Sequence, residues 1–233
     1  VDTLLVAQLG AVALAGVGTA LQIIFVLIAA LTALSVGASV LVAQAVGAGD
    51  RATANRYARQ ALVWSVLISV PFALAGLALS PAIIGLLGVE ADVAQVALAY
   101  LHVTIGTIST ILVLLIGGGV LRGAGDSRTP MLITACANVL NVGLTYVLIY
   151  GHLGFPALGA VGSAWGTFLS RLVGAALLLW VLWHGRHGVR IGGPGTWRPQ
   201  VPVAREVLRV GLPAALEEVI IITAFAVLTP IVA

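Results

Sequence analysis

The residues best placed for chemistry in this 233-residue chain are an acid, two amides, a few hydroxyls and one arginine set inside apolar sequence. In the stretch PMLITACANVLNVGLTYVLIYG, Thr134, Asn138, Asn141 and Thr145 are spaced 4, 3 and 4 apart. That spacing puts all four on one face of a helix. The stretch is long and apolar enough to cross a bilayer, where asparagines are costly unless partners or water meet them. The stripe is therefore expected to face a cavity or another helix. There it supports either cation coordination or interhelical hydrogen bonding. Asp2 lies in the apolar start of the chain and Arg171 twelve residues before Trp183. An acid at membrane depth marks an ion or proton path; the bland alternative for Asp2 is a position at the water interface. Arg171 can pair with Asp2, meet freed carbonyls or line a substrate path. Direct pairing holds the acid ionised and argues against proton coupling.

The elements that must position these groups follow from composition. The chain is 61% hydrophobic and 8% charged, against roughly 25% charged for a soluble domain. It is read as an all-α integral membrane protein, because its apolar runs are helix-length and far too long for barrel strands. The single cysteine, Cys136, leaves no partner for a disulfide or a cysteine-based metal site. Span one is read at Val1–Gly10, closed by the small-residue stretch Ala11–Gly18, and span two at Leu21–Val46. Arg51–Gln60 reads as a polar connector into span three, Ala61–Leu79, and Ser80–Asp92 as a broken stretch. Spans four, five and six fall at Val93–Val120, Pro130–Tyr150 and Leu158–Trp183. A Gly-, Pro- and Arg-rich linker follows, and Glu206–Pro230 begins a seventh span. The expected domains are residues 1–183, a first six-helix transmembrane lobe with span one truncated; residues 184–205, a linker; and residues 206–233, the start of a second lobe. The opening at Val1 and the apolar end at Ala233 are those expected of a fragment.

Charge sets an expected orientation. Arg51, Arg56 and Arg59 follow span two, Arg122 and Arg128 follow span four, and Arg186, Arg190, Arg198, Arg205 and Arg209 follow span six. The opposite connectors hold Glu90 and Asp92. The positive-inside rule places the even-to-odd connectors in the cytoplasm of a bacterial membrane protein, with Trp180 and Trp183 at that interface. Counting ~1.5 Å per residue puts Asn138 and Asn141 roughly 12–17 Å above Pro130, and Asp2 and Arg171 each roughly 18 Å in.

Other features have plainer readings. Thr32, Ser35 and Ser39 form a lighter stripe that suits packing, since hydroxyls bond their own helix backbone. Gly162, Gly166, Ser170 and Gly174, four apart, form a ridge that lets another helix approach closely. Gly-Ala-Gly-Asp occurs at Gly47–Asp50 and again at Gly123–Asp126. Two such acids suggest an intramembrane aspartyl protease dyad, whereas glycine helix stops followed by a capping Asp explain them without catalysis. No phosphate-binding loop, metal-ligand spacing or nucleophile elbow is present, so no enzyme is expected.

An ordered set of segments resembles the multidrug and toxic compound extrusion (MATE) family. It runs from Asp2-Thr3 and Leu9-Gly10, through Val42-Ala43-Gln44-Ala45-Val46-Gly47-Ala48-Gly49-Asp50, to Leu121–Pro130 (LRGAGDSRTP). Asn138-Val139-Leu140-Asn141, Leu158–Ala164 (LGAVGSA) and Gly211-Leu212-Pro213 complete it. The resemblance implies a twelve-span, two-lobe antiporter of which this chain holds the first lobe. It implies export of cationic or amphipathic drugs or metabolites by a monomer, with no cofactor beyond a coupling H⁺ or Na⁺ and no nucleic-acid partner. Asp2 then matches the family's first-span acid, Asn141 a polar site residue of span five, and Thr167 a sixth-span hydroxyl. Asn138 and Thr145 complete the site, and Gln44 and Arg171 are pathway or pairing candidates. Thr145 stands where members of the DinF-like branch carry a second acid. Glu217 and Glu218 lie near Pro213, while Ile220-Ile221-Ile222 occupy the level of the NorM-like branch's second-lobe acid. That pattern favours the DinF-like branch and H⁺. A flippase for lipid-linked sugars of the same superfamily is the alternative, and it calls for a more cationic cavity.

Overall fold

The computed structural model describes residues 2–152 and 154–232, except for the side chains of Asp2, Ala30, Ala215 and residues 218–232. The chain is helical, with no strand among the described residues. In order the elements are α1 (Asp2–Ala7), α2 (Ala11–Gly47), α3 (Arg51–Leu86), α4 (Ala91–Gly106), α5 (Ile108–Gly123), α6 (Arg128–Tyr150), α7 (Ala160–His184) and α8 (Val201–Val232). Among the described residues α2, α3, α6 and α7 are long and apolar enough to cross a membrane, and α4 with α5 makes a fifth span bent by 51°.

Several boundaries differ from the sequence reading, each for a local reason. The turn after span one is Gln8–Gly10, and Ala11–Gly18 forms the first turns of α2. Gly10 has φ +109, a conformation only glycine adopts freely, and its carbonyl accepts the first bond of α2 from Leu14. Small residues close no helix by themselves; alanine is the best helix former. Arg51–Gln60 is no connector but the first turns of α3, which continues through Pro71 and Pro81 to Leu86. Span four is two helices. Thr107 breaks it, its N–H donating to Val103 O and its hydroxyl to Val103 O at 2.8 Å, beside Gly106. Thr104 and Thr110 also turn their hydroxyls onto backbone carbonyls, which competes with a straight ladder. The last helix starts at Val201, inside the expected linker.

The chain divides into two compact units. Unit 1 comprises Val1–Phe25, Val66–Leu114 and Arg128–Leu179. In it α1 packs on α6, fastened by Tyr150, whose hydroxyl lies 2.7 Å from Gln8 Oε1 and 3.2 Å from Leu5 O. Leu101, Ile105, Leu112, Ile149 and Leu178 are among its buried side chains. The glycine ridge of α7 lies against α6. A Cβ on Gly166 would stand 2.5 Å from Thr145 Oγ1 and 2.8 Å from Thr145 Cα, and one on Gly162 would stand 2.5 Å from Leu148 O.

Unit 2 comprises Val26–Ser65, Leu115–Ser127 and Trp180–Ala233. Here the polar start of α3 is strapped to the segment between α7 and α8. Arg59 Nη1 donates to Gly193 O and Pro194 O at 3.0 and 2.8 Å. The fully buried Gln60 donates to Arg198 O at 2.9 Å and accepts from Gln200 N at 2.8 Å. Arg56 Nε donates to Gln200 Oε1, and Tyr57 OH to Glu206 Oε2, each at 2.7 Å. In the lighter stripe Thr32 bonds its own helix at Ala29 O, and Ser35 donates to Leu115 O on α5 at 2.8 Å. Both are packing roles.

The α6–α7 approach generates a paired expectation. Gly166→Ala should destabilise the protein by roughly 1–3 kcal/mol through overpacking. Gly143→Ala, on α6 with nothing within 4 Å of the added Cβ, should be neutral or stabilising by up to about 1 kcal/mol. Thermal midpoints of the purified full-length protein in one detergent compare the two; equal midpoints would remove the close approach as a constraint.

Candidate functional site

The polar stripe of α6 divides between two environments in unit 1. Thr145 is fully buried, Asn141 half-buried, and Thr134 and Asn138 exposed. Asn141 Nδ2 donates to Thr145 Oγ1 at 3.3 Å and, across to α7, to Thr167 Oγ1 at 3.1 Å. The close helix approach at Gly166 is what brings Thr167, the next residue, within reach. A cavity of about 480 Å³ opens beside this cluster, lined by Thr3, Leu21, Phe25, Tyr100, Asn138, Asn141 and Val142. Asn138 and Asn141 thus share the cavity lining with two aromatic rings, Phe25 and Tyr100, and the aliphatic side chains of Leu21 and Val142. Such a lining suits an amphipathic guest or a hydrated cation. Amide and hydroxyl oxygens are hard donors, and they can also hydrogen-bond a neighbouring acid in either protonation state.

Asp2 belongs to α1, and its side chain lies outside the described residues. Its neighbour Thr3 lines the cavity. The expected depth needs correction, because the turn sits at Gly10 and not within Ala11–Gly18. Asp2 is eight residues before Gly10, roughly 12 Å of helix and turn rather than 18 Å. Asn141 is ten residues before Gly151, roughly 15 Å by the same rise. The two levels still agree to about one turn. Arg171 stands one turn beyond Thr167 on α7, partly exposed. Its expected pairing with Asp2 falls outside the described residues. Gln44 is exposed near the end of α2 and belongs to unit 2. Glu217 is exposed on α8, and the side chains of Glu218 and Ile220–Ile222 lie outside the described residues. The reading of the sequence missed Tyr100, Leu21 and Phe25 as cavity lining, since single aromatic and aliphatic residues in an apolar helix carry no distinguishing signal.

The two Gly-Ala-Gly-Asp segments end their helices in the same way. Gly49 and Gly125 have φ +76 and +88. Asp50 N donates to Ala45 O and Asp126 N to Leu121 O, both at 2.9 Å, while Gly49 N and Gly125 N reach Val46 O and Arg122 O at 3.0 Å. These are Schellman closures. Asp50 then caps α3, accepting from Thr53 N at 3.0 Å and Thr53 Oγ1 at 2.6 Å. Asp126 is buried and pairs with Arg186 Nε at 2.9 Å, with His187 Nε2 at 3.6 Å. Each carboxylate thus has a structural partner of its own in the turn or the strap.

Two expectations follow from these contacts. Thr167→Val keeps the shape but removes the acceptor that Asn141 reaches, and should cost about 1 kcal/mol of stability. A midpoint unchanged in the purified full-length protein would mean that Asn141 has another partner in solution. The Thr53 bonds hold the Asp50 carboxyl below its ordinary value of 3.8. A depressed carboxyl contributes stability that is complete above its ordinary value and is lost as pH falls through the folded one. Midpoints measured from about pH 5 to about pH 3 should therefore fall less steeply in Asp50→Asn than in the parent; parallel curves would contradict the cap.

Comparison with known proteins agrees with this geometry. The model of the MatE family matches residues 1–147. The Thermotoga maritima protein called probable multidrug resistance protein NorM is 36% identical over 218 residues, covering 91% of this chain and 45% of that protein. A Rhizobium meliloti protein of the same name is 32% identical over 216 residues, covering 92% and 46%. Among solved structures, an inward-facing multidrug resistance MATE family transporter of the MOP superfamily superposes with TM-score 0.83 at 30% identity, over 93% of this chain and 48% of that one. A MATE crystallised in a bent conformation gives 0.84 at 30%, over 94% and 48%. The chain spans about half the length of the relatives it matches. It belongs to the MatE family, the multidrug and toxic compound extrusion transporters.

Proposed function

We propose that this chain forms the first lobe of a secondary antiporter that exports cationic or amphipathic drugs or metabolites, driven by inward H⁺. The observation that carries the reading is the unit 1 cavity with Asn138 and Asn141 on its wall and Thr3, beside Asp2, on its rim. Asp2 is the proton carrier. Ionised, it attracts a substrate cation; protonated, it loses the charge that makes a buried carboxylate costly and lets α1 repack. Asn141, held by Thr145 and Thr167, offers hydrogen bonds to Asp2 in one of those states. Substrate and proton thus compete for one acid. With Thr145 in place of a second acid, Asp2 is the one proton carrier assigned to this lobe, and Ile220-Ile221-Ile222 at the level of the NorM-like branch's second-lobe acid favour the DinF-like branch and H⁺ over Na⁺. The remaining polar residues are helpers: Asn138 faces the guest, and Arg171 and Gln44 lie along the pathway. The cavity lining carries no basic side chain among the described residues, which favours a cationic guest over the phosphate of a lipid-linked sugar. The positive-inside distribution of Arg supports a cytoplasmic side, in a bacterial cell, for the turn after α2, the turn after α5 and the α7–α8 segment. A full-length monomer satisfies this scheme.

The test uses the full-length protein in proteoliposomes. Under an imposed pH gradient, Asp2→Asn should reduce cationic-dye transport to the level of empty vesicles, while an equal Na⁺ gradient should drive little transport in the parent. A thermal midpoint of the purified variant equal to the parent's shows that it is folded. Undiminished pH-driven transport by Asp2→Asn would sink the proposal.

A further inference from the structure

Unit 2 holds a second concave site, unrelated to the Asn141 cluster. We propose that it seats the phosphate of an anionic phospholipid headgroup. The pocket encloses about 310 Å³ and is lined by Arg51 and Asn55 of α3, His184 at the end of α7, and the turn Gly185–Arg190. The turn is built, not loose. Arg186 and Val189 exchange both backbone bonds at 3.0 Å, and Gly185, His187 and Gly188 hold left-handed φ values of 91, 50 and 86. His187 is the one non-glycine residue described with positive φ, a conformation that costs energy outside glycine. Asn55 Oδ1 accepts from Arg190 N at 2.6 Å and ties the turn to α3.

The charges around the pocket do not balance. Of the carboxylates beside it among the described residues, Asp126 is taken by Arg186 at 2.9 Å with His187 at 3.6 Å, and Asp50, which precedes Arg51, accepts from Thr53 N and Oγ1. Arg190 Nε donates to Trp183 O at 3.3 Å and has no acid partner, and the Arg51 side chain has no hydrogen bond or ion pair among the described residues. Two guanidinium groups are thus left for an anion, and their planar donor forks match phosphate oxygens. The neighbouring aromatics set the level. Trp180 and Trp183, on the last turns of α7, are 61% and 51% exposed, and Trp197 stacks on Trp183. Exposed Trp at the end of an apolar helix sits at headgroup depth. A basic pocket at that depth faces lipid phosphate before it meets any soluble anion, and the cytoplasmic leaflet is the anionic one.

The experiment titrates the full-length protein in neutral detergent with short-chain phosphatidylglycerol, short-chain phosphatidylcholine or inorganic phosphate, reading the thermal midpoint. Phosphatidylglycerol should raise the midpoint saturably and the other two should not. The double variant Arg51→Gln/Arg190→Gln should need about tenfold more phosphatidylglycerol for half the rise. The double variant Arg205→Gln/Arg209→Gln, the same charge change outside the pocket, should titrate like the parent. Equal weakening by Arg205→Gln/Arg209→Gln and by the pocket double variant, or equal responses to the two lipids, would overturn the site. A full rise with inorganic phosphate would overturn the lipid as its occupant. If the pocket double variant starts from a lower midpoint without lipid, Arg51→Gln alone carries the comparison with about a threefold weakening expected. Transport by Asp2 is not engaged by any of these outcomes, so this proposal and the antiport reading fail separately.

Discussion

The arrangement of unit 1 depends on how closely two helix backbones can approach. A membrane gives helices no hydrophobic reason to associate, so contact must come from packing and from hydrogen bonds that replace water. Gly162 and Gly166 remove the side chains that would hold α7 away from α6 at Leu148 and Thr145. Only at that distance does Thr167 reach Asn141. The same contact buries Thr145 completely, which leaves Asn141 as the member of the cluster that faces the cavity. A ridge of small residues and a stripe of polar ones, separate features in the sequence, are two halves of one interface.

Unit 2 solves a different problem, which is to anchor a long polar segment. Backbone groups of residues 193–200 have no helix or sheet to satisfy them, and buried groups of that kind must find partners. They find them on the first turns of α3, where Arg59 and Gln60 cap the carbonyls of Gly193, Pro194 and Arg198. The arginines that set membrane orientation are therefore not interchangeable surface charges. Arg59 is 5% exposed and structural, whereas Arg51 and Arg190 stand at an open pocket.

Much of this was legible in residue order. Apolar run lengths disclosed the class, and the spacing of Asn138, Asn141 and Thr145 disclosed a face that needs partners. What was not legible is what depends on pairing between distant segments. Arg51–Gln60 reads as a connector because it is polar, and its helix is stabilised by a segment some 135 residues later. The break at Thr107 was hidden because threonine is common in membrane helices; it matters only when several hydroxyls in succession turn onto the backbone. Misplacing the first turn by a few residues shifted Asp2 by about 6 Å, which shows how far depth arguments depend on one glycine with positive φ.

The repeated Gly-Ala-Gly-Asp segment shows where local rules stop. Both copies close a helix with the same two backbone bonds, because that geometry needs only a glycine at the left-handed position. The acid that follows is not governed by the closure. Asp50 has a threonine three residues on and becomes a cap; Asp126 is buried where the α7–α8 segment supplies Arg186. A buried carboxylate without a cation would be strongly disfavoured, so the turn that carries Arg186 and His187 is held in place partly by Asp126. That fixes where Arg190 and the rest of the basic turn can stand. The charge excess of the pocket is thus a consequence of how one acid in a common helix stop is neutralised.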